Sequence, residues 1–191
     1  MVNKQPEVTE ATRRAFVEAY CQLQMKNPGT TVTVRALTEK AGYNRTTFYR
    51  YFPDTLAVME WMEDDVVATV LKDIEKRSPE TALADEFSAA FARLNETHRM
   101  QLGVLFSPAN RSRFTEKLKQ AVAPIYAESL GADLGNPRAR ALLDMFFSAI
   151  FSQVAKWFDG SNTLSPDEVL KLNRSLLEMW LMPQLRNSSE K

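Results

Sequence analysis

The sequence has very few of the residues that build disulfides, metal sites and phosphate loops. Its 191 residues include one cysteine, Cys21, one histidine, His98, and six glycines. A lone cysteine cannot close a disulfide within the chain, and one histidine cannot supply a multi-histidine metal site. No glycine-rich phosphate loop or nucleophile elbow is present. We therefore expect no catalytic residues, no metal and no cofactor.

The acidic run Glu63, Asp64 and Asp65 is the closest approach to a catalytic cluster. Consecutive positions of a helix point in different directions around its axis, so these carboxylates should not converge on one point. We interpret the run as a solvated helix face, which leaves an enzyme as the weaker hypothesis.

Long apolar segments and net charge are also missing. The longest apolar run, Met145–Ala155, is too short to span a bilayer, and the start MVNKQPEVTE has no apolar signal core. We expect a cytoplasmic protein without a membrane segment. The composition, 45% hydrophobic and 25% charged, is that of a folded chain with a proper core.

The neutral total hides an uneven distribution of charge. Residues 1–52 hold eight Lys and Arg against four Glu, so this segment carries 8 − 4 = +4 and the remainder −4. A basic end on an acidic body is typical of a nucleic-acid-binding module joined to another domain.

Residues 33–52, TVRALTEKAGYNRTTFYRYF, predict two short helices around a glycine turn. Thr33 is a good N-cap for the first helix, and Gly42 follows its last apolar position, where positive φ is favoured. Asn44 can cap the second helix, in which Phe48 and Phe52 point inward. This arrangement is that of a helix-turn-helix whose second helix supplies the reading residues.

The remaining side chains of the second helix carry the chemistry of DNA binding. Arginine can bond guanine bidentately, and threonine or tyrosine can contact a thymine methyl group or a phosphate. The alternative, a three-helix bundle with no role in DNA binding, explains the phenylalanines but leaves the polar face without a function. The predicted base readers are Arg35, Arg45, Thr46 and Tyr49, and the predicted phosphate contacts are Thr33, Asn44, Thr47, Arg50, Tyr51 and Thr55. Tyr43, at the turn, is a further predicted DNA-binding residue.

Residues 9–60 resemble the DNA-binding domain of the TetR/AcrR family of bacterial transcriptional regulators. The resemblance rests on the hydroxyl cap, Leu37, Ala41-Gly42, the polar cap at position 44 and the run Thr47-Phe48-Tyr49-Arg50-Tyr51-Phe52. Three residues depart from the pattern. Thr38 replaces a small residue, Tyr43 replaces a short aliphatic one, and Thr55 replaces a phosphate-binding lysine.

Outside the helix-turn-helix the sequence predicts only helices. We expect helices at 9–26, 54–76, 80–98, 110–130, 136–159 and 166–182, with Pro183 ending the last of these and Ser165 and Glu168 forming a capping box at its start. The chain should therefore be all-α, with a three-helix helix-turn-helix domain at 1–53 and a larger helical bundle at 54–191, about nine helices in all.

Helices 136–159 and 166–182 carry more apolar faces than one core contact needs. The resemblance implies that they pair with their copies in a homodimer. It also implies a small-molecule effector bound in the bundle, whose binding moves the helix at 54–76 and changes the spacing of the two DNA-reading domains. The candidate pocket residues are Trp61, Met62, Val66, Phe87, Phe91, Leu102, Phe106 and Tyr126, with Tyr126, His98 and Gln153 as candidate hydrogen-bonding anchors. For any one of these residues, ordinary core packing is the better explanation.

Together these features predict a transcriptional regulator that binds a double-stranded DNA operator, acts as a repressor and responds to a small ligand. The alternative is a helical adaptor or a partner-controlled regulator without a small-molecule inducer. Steep salt dependence of DNA binding separates a DNA-binding regulator from an adaptor or an enzyme.

Overall fold

The computed structural model describes residues 6–75, 83–158 and 160–189 of the chain. The prediction of an all-α protein is confirmed, because the described residues form helices and no strand. The helices are α1 (Pro6–Lys26), α2 (Val34–Ala41), α3 (Arg45–Tyr51), α4 (Thr55–Glu75), α5 (Leu83–Leu105), α6 (Arg111–Ser129), α7 (Pro137–Phe158), α8 (Pro166–Ser175) and α9 (Met182–Ser189), with a π-helical segment at Leu176–Leu181. The last three segments run on without a break, so the described residues form eight separate helices.

Two compact units make up the chain, and the boundary between them falls within helices. The first unit comprises Met1–Val66 and His98–Leu105, and the second comprises Val67–Thr97 and Phe106–Lys191. Both α4 and α5 therefore contribute residues to each unit. The division into one domain at 1–53 and another at 54–191, each folding independently, remains a proposal.

The core of the first unit forms where α1 packs on the helix-turn-helix and on the first half of α4. Phe16 and Cys21 of α1 are fully buried, as are Phe48 of α3 and Met62 of α4. The Cys21 thiol lies 3.5 Å from the sulfur of Met62, and the Tyr20 hydroxyl lies 3.7 Å from the sulfur of Met59. Desolvation by burial raises the pKa of Cys21 to about 12, so this residue is a packed apolar group and not a reactive thiol.

Glu63 corrects our interpretation of the acidic run as a solvated face. Its side chain is fully buried in the first unit, on the same side of α4 as Met59, Met62 and Val66. The other two members of the run follow the helical period, since Asp64 is exposed and Asp65 is half-buried. A helix that packs on one broad face must turn one of three consecutive residues inward, and here that residue is a glutamate.

His98 lies within α5 and not at its end, contrary to the predicted boundary at residue 98. Its backbone is non-helical, with φ −127° and ψ 23°, and the helix resumes beyond it to Leu105. The imidazole is half-buried, and its Nε2 lies 3.3 Å from Oδ2 of Asp65 on α4. The predicted helix end therefore corresponds to a kink.

The core of the second unit is built largely from α6 and α7. Phe114 of α6 and Phe147 and Ile150 of α7 are almost completely buried. At the edge of this contact, Lys119 of α6 forms an ion pair with Asp144 of α7. The hydrogen bond to Asp144 raises the pKa of Lys119, which stays charged across the physiological range.

The final helical run starts as the sequence predicts and ends later. Ser165 and Glu168 form the predicted capping box, with Glu168 Oε2 accepting from the Ser165 backbone N–H at 2.8 Å. The helix does not end at Pro183, which lies inside α9. A proline clashes with the carbonyl four residues before it, and the wider π-helical turn at Leu176–Leu181 lets the chain continue past that clash.

Candidate nucleic-acid interface

The helix-turn-helix is held in shape by local hydrogen bonds that its sequence encodes. Thr33 caps α2, since its hydroxyl oxygen accepts from the backbone N–H of Ala36 at 3.2 Å. Asn44 caps α3 in the same way, with Oδ1 accepting from the N–H of Thr47 at 2.7 Å. Both predicted N-caps are confirmed.

Gly42 provides the turn between the two helices. Its φ is +73°, a left-handed conformation in which a side chain is strained, although a Cβ at this position would meet no atom within 4 Å. The N–H of the next residue, Tyr43, donates to the Thr38 carbonyl at 3.1 Å, which closes a Schellman-type helix end. The turn therefore requires glycine for its backbone and not for space.

An aromatic cluster fixes α3 on α1. The ring of Phe16 packs edge-on against Phe48 and Phe52, with centroids 5.3 Å and 6.2 Å away. Tyr43 also packs against Phe16, at 5.2 Å. The predicted inward direction of Phe48 and Phe52 is confirmed. Tyr43, which replaces the short aliphatic residue of the family pattern, covers this cluster and is itself partly exposed.

The buried cluster leaves one polar face of α3 open to solvent. Arg45, Thr46, Tyr49 and Arg50 are all exposed, and Tyr49 is the most accessible aromatic side chain of the helix at 57% exposure. Residues four apart lie on the same side of a helix, so Arg45 shares a side with Tyr49 and Thr46 shares one with Arg50. These four predicted residues form a single surface, which we call the α3 face.

The other predicted DNA-binding residues surround this helix with less exposure or with a local partner. Thr47 and Tyr51 are half-buried, and so is Thr55, the first residue of α4. Arg35 of α2 is exposed, and its Nε donates to Oε1 of Glu39 at 2.8 Å. This hydrogen bond raises the pKa of Arg35, so the guanidinium remains charged while part of its charge is neutralised.

Thr38, another departure from the family pattern, is accommodated within α2. It is buried, and its hydroxyl donates to the backbone carbonyls of Val34 and Arg35 at 2.8 Å and 3.0 Å. The extra polar atom is thereby satisfied inside the helix, and the packing of α2 tolerates it.

One charged neighbour of α3 was missed by sequence reasoning. The guanidinium of Arg13, on α1, lies 6.0 Å from the centre of the Tyr51 ring. The two residues are far apart in sequence, and no periodic pattern connects them. Only the packing of α1 on α3 brings them together.

The predicted effector-pocket residues are divided between the two units. In the first unit Met62, Val66 and Leu102 are fully buried, whereas Trp61 and His98 are half-buried. In the second unit Phe106 stacks on Phe158 with centroids 5.6 Å apart, Tyr126 packs edge-on against Phe147 at 5.2 Å, and Gln153 is half-buried. The side chains of Phe87 and Phe91 lie outside the described residues. The described contacts are those of ordinary core packing, and a pocket remains a proposal.

None of the described helices is both long enough and apolar enough to cross a lipid bilayer.

Comparisons of sequence identify no relative, since no protein-family model and no curated protein matches the chain.

Comparison of structures does find similar proteins. A TetR-family transcriptional regulator from Streptomyces coelicolor superposes with a TM-score of 0.62 at 16% identity, over 95% of this chain and 89% of that one. A TetR-family transcription regulator from Marinobacter aquaeolei VT8 gives 0.59 at 16% identity, over 95% and 98%. The dihydroxyacetone kinase operon activator DhaS gives 0.57 at 18% identity, over 92% and 96%. These alignments extend over nearly the whole length of each chain, and they show that this protein has the fold of the TetR family of transcriptional regulators.

Proposed function

We propose that the chain is a transcriptional regulator that inserts α3 into the major groove of double-stranded DNA. The observation that carries this proposal is the α3 face. Arg45, Thr46, Tyr49 and Arg50 lie open to solvent on a helix whose opposite side is anchored by Phe48. A helix fits the major groove of B-DNA, where arginine can bond guanine O6 and N7 and where thymine presents a methyl group.

The capping residues can add phosphate contacts without giving up their caps. The Thr33 hydroxyl oxygen accepts from Ala36, and its own hydrogen is available to a phosphate oxygen. The Asn44 side chain uses its carbonyl oxygen for Thr47, which leaves its amino group as a donor. Both caps lie at the start of a helix, where the positive end of the helix dipole favours an anion.

A homodimer formed through α7 and the final helical run is the proposed assembly. The monomer already buries most of the apolar residues of α7. The apolar surface left for a dimer interface is therefore smaller than the sequence suggests. Among the side chains of these helices that the structure describes, three large apolar ones are exposed, namely Met145 at 57%, Leu172 at 54% and Met179 at 79%. Ala141 and Ala149 of α7 are also exposed, and small residues permit close approach of a second helix. Two reading helices in such a dimer would contact half-sites about one DNA turn apart.

Repression is the proposed sign of regulation, because occupation of an operator is sufficient to block transcription. Activation requires a further favourable contact with the transcription machinery. DhaS, which shares the fold, is by its name an operon activator, so the fold itself is compatible with either sign. A reporter gene placed behind the bound operator distinguishes them, since repression predicts higher expression when the protein is deleted.

We propose that a small apolar effector regulates DNA binding. The feature that supports this proposal is α4, which starts next to the helix-turn-helix and contributes residues to both units. A ligand shifts a conformational equilibrium only by its difference in affinity for the two states. In a Trp157→Phe, Trp180→Phe background, the half-buried Trp61 would report such binding by its fluorescence. If apolar compounds neither quench Trp61 nor release DNA, a partner-controlled regulator or an adaptor becomes the better hypothesis.

Selection of DNA by the purified protein tests the proposed function. A random duplex library should yield an inverted repeat with half-sites about one turn apart, and footprinting should place the same sequence in the DNA that flanks the coding region. Recovery of no enriched sequence, with no protection of the flanking DNA, would overturn the proposal.

A further inference from the structure

Arg13 is a half-buried arginine of α1 that lies beside the proposed reading helix. Its guanidinium carbon lies over the Tyr51 ring, 6.0 Å from the ring centre. A guanidinium at this distance from an aromatic face is attracted by the π electrons of the ring. Tyr51 is the last residue of α3. The contact therefore places a cation at the C-terminal end of that helix.

Phe16 keeps Arg13 in this position. It lies three residues further along α1 and packs against Phe48 and Phe52 of the aromatic cluster. Residues three apart share a helix face, so Arg13 lies at the rim of the same contact between α1 and α3. Because the cluster is buried, the base of the Arg13 side chain has a fixed place relative to α3.

One nitrogen of the Arg13 guanidinium has no hydrogen-bond acceptor among the described residues. This nitrogen, Nε, is buried. The next residue, Arg14, contrasts with it, since the Nε of Arg14 donates to Oε1 of Glu10 at 3.3 Å and its side chain is 70% exposed. Arginine keeps its charge and presents five N–H donors. The Arg13 side chain as a whole is only half-buried, so part of it remains open to solvent.

We propose that Arg13 binds a phosphate of the DNA backbone and that the Tyr51 ring holds it in position for this contact. The inference rests on the proposed function and adds α1 to the interface. It also adds to the positive charge of the proposed interface, in which Thr55 brings no charge and Arg35 is paired with Glu39. Arginine suits this site better than lysine, since a planar guanidinium can stack on the ring and bond phosphate with the same group.

Salt dependence of DNA affinity tests this role, because each phosphate contact releases a counterion. The probe is the fluorescein-labelled duplex that the wild-type protein selects from a random library. For Arg13→Gln we expect the slope of log K against log salt to become shallower by about 0.9 for each protomer bound. Arg14→Gln is the matched control. It removes the same charge from the neighbouring position of the same helix, and it should leave the slope unchanged.

The role of the ring is tested by combining substitutions. Arg13→Gln should lower affinity by a large factor in the wild-type and Tyr51→Phe backgrounds, and by a distinctly smaller factor in Tyr51→Leu. Arg13→Lys should keep the slope and lose part of the affinity, because it keeps the charge without the planar group. Equal factors in the Phe and Leu backgrounds would show that the ring does not hold Arg13.

The failure of this inference differs from the failure of the proposed function. If the wild-type protein binds the duplex with a steep salt slope but Arg13→Gln changes it no more than Arg14→Gln does, Arg13 contacts no phosphate and the proposed function stands. If the wild-type protein shows no salt-dependent binding, both are wrong. Circular dichroism of each variant confirms that the helices are intact.

Discussion

Two adjacent residues of α3, Phe48 and Tyr49, should respond to substitution in opposite ways. Phe48 is fully buried within the aromatic cluster, whereas Tyr49 is 57% exposed on the α3 face. We expect Phe48→Ala to lower the free energy of unfolding by about 3–5 kcal/mol, the cost of removing a buried phenylalanine and leaving a cavity. Tyr49→Ala should cost about 1 kcal/mol, since it removes one edge-on packing partner of the Phe48 ring, with centroids 5.4 Å apart.

DNA binding should rank the two variants in the reverse order at a temperature where both are folded. Urea unfolding followed by circular dichroism gives the stabilities, and fluorescence anisotropy with the selected duplex gives the affinities. Folded Phe48→Ala should retain specific binding apart from the fraction unfolded, whereas Tyr49→Ala should lose it while remaining stable. Equal destabilisation of both variants, or undiminished DNA binding by Tyr49→Ala, would refute the assignment of the two faces.

Four further outcomes are expected. Arg45→Ala should weaken specific DNA binding by about 1–3 kcal/mol and relax preference at one base pair per half-site, as measured on single-base operator variants, whereas equal loss on every variant would make Arg45 a phosphate contact. Gly42→Ala should lower the free energy of unfolding by about 1–2 kcal/mol, because φ is +73° at this position, and an unchanged urea midpoint would contradict the strain. Met179→Glu should shift the protein from a dimer of twice 21.7 kDa towards monomer in sedimentation velocity, whereas Met25→Glu, at another exposed methionine on α1, should not. Cys21 should resist thiol reagents at pH 8 until urea unfolds the protein, because burial raises its pKa to about 12. Since its folded pKa is the higher one, its contribution to stability is complete below the ordinary thiol range and is lost as pH rises towards 12.

The features that sequence reasoning predicted well are those decided within a few residues of the chain. The caps at Thr33, Asn44 and Ser165 and the left-handed turn at Gly42 depend on one side chain and the backbone next to it. The direction of Phe48 follows from helical period alone. Such local rules gave the two helices of the helix-turn-helix and the all-α class, to which the family resemblance added the expected fold.

The features that it missed depend on packing between distant segments. Glu63 is buried by the packing of other segments of the first unit over that side of α4, and a run of three acidic residues contains no sign of this. The Arg13–Tyr51 contact likewise joins residues from two helices. Pro183 was wrongly predicted to end its helix, because the rule that proline ends a helix takes no account of the preceding turn. Here the π-helical turn lets the helix continue.

The central claim is that the α3 face binds the phosphates and base edges of duplex DNA. The most direct test is to remove the arginines of this face and to measure how DNA affinity then depends on salt. Arg45→Gln combined with Arg50→Gln removes two exposed arginines from α3, and Arg111→Gln combined with Arg140→Gln removes two exposed arginines from the second unit. With the selected duplex, the wild-type protein should lose affinity steeply with salt. The α3 pair should weaken binding strongly and flatten the slope by up to about 1.8 for each protomer, at about 0.9 for each phosphate that an arginine no longer neutralises. The control pair should match the wild type. Identical binding curves for the two pairs, or a wild-type affinity independent of salt, would contradict the account.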